Sequence, residues 1–294
     1  MATDRTFSRP IGPLAAVSWS AAFLVIAVLL VGLAASGKGG SIDVFTATFL
    51  HLAAILLVIF LILRVHAPEA DLGEVVGLRI LGPIAGSLAA VTGAAASIPV
   101  SALESAIERR WPDPAPLDLA LLYPSATPLG RIASLVASAV VYAVATELLF
   151  RGALPTGLLR SGTKGRAAVV TSLAYALVAS SGDQRYLAVH LVMGLIFVHA
   201  RLATGSVLSA IVAHVGYRVG ELAWGHRVYG GLDPLRMTPP TPVPPIWIVV
   251  VASVAAIVAG GLLAAIGLGE DHPLHREGSK AKEPTKPTEG GDDA

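Results

Sequence analysis

The 294-residue chain contains no cysteine, which excludes disulfides, thiolate metal sites and thiol nucleophiles. Charge is also scarce, at 14% of residues, and aromatics supply only 6%. Its 21 Lys and Arg nearly cancel 20 Asp and Glu, leaving a formal charge of +1. There is no basic stripe to track a phosphate backbone, so a nucleic-acid partner is not expected. No internal repeat is present, which disfavours a transporter built from duplicated halves. What fills the chain is apolar: 54% hydrophobic residues and a mean hydropathy of +0.71. That is too apolar for a soluble domain of this size.

A bilayer is the solvent that suits such a chain. Each crossing needs about 20 mainly apolar residues, because backbone N–H and C=O groups must pair within the segment. The clear runs are Leu14–Ser36, Asp43–Val65, Gly77–Ser97, Arg131–Phe150 and Pro245–Leu268. Shorter or more polar ones, Arg166–Ser180, Arg185–Ala203 and Gly205–Trp224, suit a protein-buried interior. The expected fold is therefore all-α and polytopic, with about eight transmembrane helices. The first run follows Arg5 and Arg9 and ends in Ala34, Ala35 and Ser36, as a cleaved signal would, but its apolar length favours a retained span.

Basic residues set the expected orientation. Arg5, Arg9, Arg64, Arg160, Lys164, Arg166, Arg201, Arg276, Lys280, Lys282 and Lys286 fall on one side, against Lys38, Arg109, Arg110, Arg185, Arg227 and Arg236. This bias supports both termini in the cytoplasm, and the expected location is a bacterial inner membrane. Proline-rich Trp111–Pro128 and the stretch Gly225–Pro245 read as external loops, and Gly269–Ala294 as a solvated tail without a fold. The organisation expected is a three-helix membrane portion with its loop over 1–127, a membrane core over 128–268 and a polar tail over 269–294.

Ionisable groups in membrane helices need a partner or a wet cavity. Glu147 and Arg151 are four apart and share a helix face, where they can form an ion pair. His214, Arg218 and Glu221 share another. These two faces are expected to look at each other, either as an electrostatic clasp that fixes helix register or as a polar cavity. His190, His199 and His214 offer imidazoles that suit zinc, although hydrogen-bonded packing is the commoner role, as for His51. Gly205, Gly216 and Gly220 read as packing residues, the last two at the spacing of a tight helix crossing.

The block Thr146-Glu-Leu-Leu-Phe-Arg-Gly152 resembles the first motif of the CAAX-protease and bacteriocin-processing family of intramembrane endopeptidases: two glutamates, three residues, arginine and glycine. Ser172–Ala179 resembles the second motif, an aromatic residue followed four positions later by histidine. Thr204–His214 resembles the turn and helix that carry the third, a histidine followed four positions later by asparagine. The chain departs from the pattern at Thr146, where the family has its first glutamate, at Ala179, where it has histidine, and at Arg218, where it has asparagine.

The resemblance implies peptide-bond hydrolysis near the bilayer surface on a membrane-associated protein or peptide, without a cofactor. In the family the first glutamate and second-motif histidine activate water, while the third-motif pair stabilises the oxyanion. Threonine is no base at neutral pH and alanine offers nothing. Two outcomes follow. Either Glu147 serves as base with His214 as donor, Arg151 beside it and Arg218 replacing the missing amide, or Arg218 neutralises Glu147 and shuts the site. The second outcome implies a non-catalytic module that binds or chaperones substrates, or partners an intact protease.

Overall fold

The computed structural model describes residues 9–37, 42–112, 130, 133, 136–160, 162–229 and 244–270. Among them every regular element is helical. α1 spans Pro13–Gly37 and α2 Val44–His66. The side chain of Asp43 caps α2 by accepting from Thr46 N at 2.8 Å, and Arg64 and His66 in the last turn suit the negative end of the helix dipole. A five-residue helix, α3 (Leu72–Val76), precedes α4 (Pro83–Arg110).

The apolar run expected to end at Ser97 continues through Pro99 to Arg110. A proline removes one backbone donor, and packed neighbouring helices re-satisfy the freed groups.

Next comes a helical stretch that alternates in winding: π-helical at Ala137–Val141, α-helical in α5 (Tyr142–Glu147), π-helical at Leu148–Ala153, and α-helical in α6 (Leu154–Leu159). The expected end at Phe150 is thus overrun by most of three turns. α7 (Lys164–Ala179) is capped by Thr163, which accepts from Arg166 N at 3.2 Å. α8 (Leu187–Thr204), α9 (Val207–Tyr229) and α10 (Ile246–Glu270) complete the order. α9 does not stop at Trp224; Gly225 is helical, so the loop expected from there begins later. The proline-rich loop beyond Pro112 and the tail beyond Glu270 lie outside the described residues.

Five described helices are long and apolar enough to cross a membrane: Pro13–Gly37, Phe45–His66, Pro83–Arg110, Gln184–Thr204 and Ile246–Gly267. Other parts of the described structure carry buried polar groups, Thr171 and Ser172 on α7 and Ser209 and His214 on α9 among them.

The most extensive packing is α4 on α9, with α10 also against α4 and α8 touching α4, α7, α9 and α10. Small residues allow this approach. A Cβ added at Gly93 would fall on the carbonyl of Ala213, one at Gly216 on the carbonyl of Ala90, and one at Gly220 within 2.7 Å of the carbonyl of Ala94. Backbones meet here, as they do where small residues line a membrane-helix crossing.

A second junction pins the turn after α3 to the turn before α9. Gly77 has φ 65° and its carbonyl accepts from Val207 N at 3.1 Å, while Ser206 Oγ donates to Arg79 O at 2.6 Å. A Cβ on Gly77 would stand 2.9 Å from Arg201 Cζ. Gly77→Ala is therefore expected to destabilise the fold by about 1–3 kcal/mol, combining left-handed backbone strain with the collision. Thermal unfolding in detergent checks it; an unchanged midpoint would mean that the junction yields freely.

Candidate active site

Three side chains with no solvent exposure converge where α5 and its following π-turn meet α9. Glu147 Oε1 accepts from Arg151 Nη1 at 3.2 Å and from His214 Nδ1 at 2.8 Å. A carboxylate oxygen can only accept, so Nδ1 carries a proton and the imidazole presents its lone pair at Nε2. The expected Glu147–Arg151 pair is present, and His214 reaches it from the facing helix.

Aromatic rings wall the cluster. Phe197 of α8 stacks on the His214 ring at 4.4 Å and 15°, and Tyr142 meets the same ring edge-on at 6.4 Å. The Arg151 guanidinium lies over Tyr175 at 4.2 Å and over Phe197 at 5.5 Å. These cation–π contacts help hold a charge that has left water. Behind Arg151, the π-turn exposes its backbone carbonyl, which accepts from Arg201 Nε at 3.0 Å. Such single π-turns inside α-helices recur at functional sites.

Several buried atoms of the trio take no partner among the described residues: Glu147 Oε2, Arg151 Nε and Nη2, and His214 Nε2. Buried polar atoms are ordinarily satisfied, so a group of unmatched ones on neighbouring residues marks a place suited to water or a polar ligand. Arg151 itself is structural as well as polar. Replacing it with Met leaves Glu147 buried beside a neutral imidazole, which is expected to cost about 3–5 kcal/mol. Thermal unfolding of Arg151→Met against wild type measures this, and a variant as stable as wild type would show that Glu147 is not charged.

The other candidate residues go elsewhere. Arg218 does not join Glu147; its Nη1 donates to Glu221 Oε2 at 2.8 Å. The five-residue clasp thus divides into a buried trio and a separate half-buried pair. Thr146 is buried and its hydroxyl donates to the carbonyls of Tyr142 at 2.9 Å and Ala143 at 3.2 Å, so it is spent on its own helix. Ala179 is half-buried at the end of α7, and the next residue, Ser180, pairs through Oγ with His190 Nδ1 at 2.8 Å.

The three histidines considered for zinc have different partners, since His199 Nε2 donates to Gly260 O at 3.0 Å. No group of three or more metal-ligating side chains occurs among the described residues. His51 packs as expected, with Nδ1 donating to Ala47 O at 2.7 Å. A mainly apolar cavity of about 590 Å³ lies among α4, α8 and α10, lined by residues such as Val100, Val192 and Ile257, and the trio does not border it. In the turn before α8, the Arg185 guanidinium holds the half-buried Asp183 carboxyl below its usual range through a side-chain hydrogen bond.

Phe197, Tyr142 and Arg201 were not singled out from the sequence as parts of this site. Nothing in their spacing marks them; only the register of α8 against α9 and against the π-turn brings Phe197 and Arg201 there.

An all-helical integral membrane protein with a buried Glu–Arg–His cluster is the class that fold and site define. Residues 128–220, just under a third of the chain, match the family model described as type II CAAX prenyl endopeptidase Rce1-like. That stretch contains Thr146–Gly152, Ser172–Ala179 and Thr204–His214, the three segments that resemble the family's motifs. No curated protein and no solved structure matches the chain.

Proposed function

We propose that this protein is an intramembrane endopeptidase of CAAX type that cuts membrane-associated proteins or peptides, with Glu147 and His214 as a rewired catalytic dyad. The observation that carries this reading is the 2.8 Å bond from His214 Nδ1 to Glu147 Oε1, with Nε2 left without a partner among the described residues. The arrangement is that of a carboxylate-oriented imidazole base.

In the proposed reaction Nε2 takes a proton from water as the water oxygen bonds to the scissile carbonyl carbon. Glu147 stabilises the imidazolium that forms, and Phe197 keeps the ring plane fixed. Arg151 Nη2, an uncommitted donor on the residue bonded to Glu147, stabilises the developing oxyanion. As the tetrahedral intermediate collapses, the C–N bond breaks and Nε2 returns the proton to the leaving amine. This assigns His214 the role of base, where the sequence pattern pointed first to Glu147. The protein works without a cofactor in this scheme, in a bacterial inner membrane with both termini cytoplasmic, and residues 128–268 form the unit that does the chemistry.

One observation favours a second reading. Glu147, Arg151 and His214 have no exposure at all, and Thr146 is committed to its own backbone. A clasp closed in this way suits a non-catalytic module that binds such substrates or partners another protease.

The discriminating experiment measures cleavage of a panel of membrane-tethered peptides by purified protein in lipid vesicles. The comparison variant restores the family pattern as Thr146→Glu, Ala179→His and Arg218→Asn. Cleavage by the wild type supports the endopeptidase. Cleavage by the restored variant alone supports the closed module.

A further inference from the structure

At the end of the bundle where the α3–α4 and α8–α9 turns meet, two arginines stand at the joined turns. Arg201 is 5% exposed, and Arg79 lies on the turn bound to the start of α9, its carbonyl accepting from Ser206 Oγ. Among the described residues neither forms an ion pair with a carboxylate, although Glu69, Asp71 and Glu74 belong to the same end. Arg201 spends Nε on Arg151 O and Nη2 on Thr156 Oγ1 at 3.3 Å, which leaves Nη1 uncommitted. A buried guanidinium beside a second one, with only neutral acceptors around it, calls for an anion.

The surroundings are built to let both guanidiniums in. Arg201 packs on Gly77, and Arg79 Nη1 lies 3.4 Å from where a Cβ of Gly205 would stand. Both glycines have positive φ, 65° and 69°, so the two turns are held in conformations that keep this space free of side chains. The first N–H of α9 is occupied by Gly77 O, so the helix terminus itself supplies no site. The same end also carries Arg64, Arg160, Lys164 and Arg166, where the apolar helices Phe45–His66 and Gln184–Thr204 finish, and positive charge clustered at the end of a span attracts anionic lipid.

We infer that Arg79 and Arg201 form a binding site for the phosphate group of an anionic lipid headgroup. Guanidiniums suit phosphate oxygens in charge and in donor number, and the ends of the apolar helices beside them favour a lipid over a soluble anion. Occupancy also has a consequence inside the protein. Arg201 holds the carbonyl of Arg151, whose side chain holds Glu147, so a bound phosphate fixes the second member of a chain that ends at the buried trio. The site stands whether or not the trio hydrolyses peptides.

The test uses the full chain in phosphatidylcholine nanodiscs, with and without phosphatidylglycerol, and reads thermal unfolding together with bound lipid by native mass spectrometry. Phosphatidylglycerol is expected to raise the unfolding midpoint of the wild type and of Arg166→Gln equally. Arg79 is exposed and its side chain supports no internal bond, so Arg79→Gln folds normally and is expected to weaken phosphatidylglycerol binding about tenfold, with Arg79→Lys recovering part of it. A wild type indifferent to phosphatidylglycerol, or an Arg79→Gln variant that retains full binding, overturns the site. Inorganic phosphate giving the same stabilisation in neutral nanodiscs overturns the assignment to a lipid.

Discussion

Glu147→Gln is expected to lower peptide cleavage in lipid vesicles by about 10²–10⁴-fold, and His214→Ala by a comparable factor, because each removes one half of a single proton-transfer device. Glutamine keeps the shape of Glu147 and can still accept from Nδ1, but it carries no charge to stabilise an imidazolium. Loss of the charge also leaves Arg151 buried without its counterion. Unfolding must therefore be measured on the same samples, so that lost activity in a folded protein is separated from lost protein. His214→Ala opens a void against Phe197 and is the more disruptive of the two. A Glu147→Gln variant that is folded and as active as wild type would remove Glu147 from the chemistry.

The second large effect concerns packing. Gly93→Leu is expected to destabilise the protein by more than the usual 1–3 kcal/mol of an overpacked position, because the atom in its way is the backbone carbonyl of Ala213 and not a side chain that can turn aside. Relief requires α4 and α9 to separate, and α9 carries His214. Activity and stability should fall together in this variant, in contrast to Glu147→Gln. Its yield in detergent extracts and its unfolding midpoint are the measurements. A Gly93→Leu protein with wild-type stability would mean that the helices cross more loosely than described.

The helical, membrane-spanning character was legible because hydropathy reports burial in lipid directly: Leu14–Ser36 and Asp43–Val65 fall within a few residues of α1 and α2. Helix ends were less so. The apolar run was bounded at Ser97 by hydropathy, yet α4 continues past Pro99 to Arg110. The five-residue α3 has too few residues for any periodicity to show. Within the site, the Glu147–Arg151 pair followed from a spacing of four on one helix, and its meeting with His214 from the need of two polar faces in membrane helices for each other. The parting of Arg218 from that cluster did not follow, because it depends on a competing acid, Glu221, three residues further on the same helix. Arg201 illustrates the same limit. Sequence placed it with the interfacial charges, whereas the structure buries it against the carbonyl of Arg151.

The measurement that bears most directly on the dyad is a double-mutant cycle of cleavage by the purified, lipid-reconstituted protein: wild type, Glu147→Gln, His214→Ala and the double variant. Two groups that act as one unit lose their effect together, so the double variant is expected to be no slower than the slower single one. Losses that multiply, or cleavage that survives in either folded single variant, would contradict a catalytic dyad of Glu147 and His214.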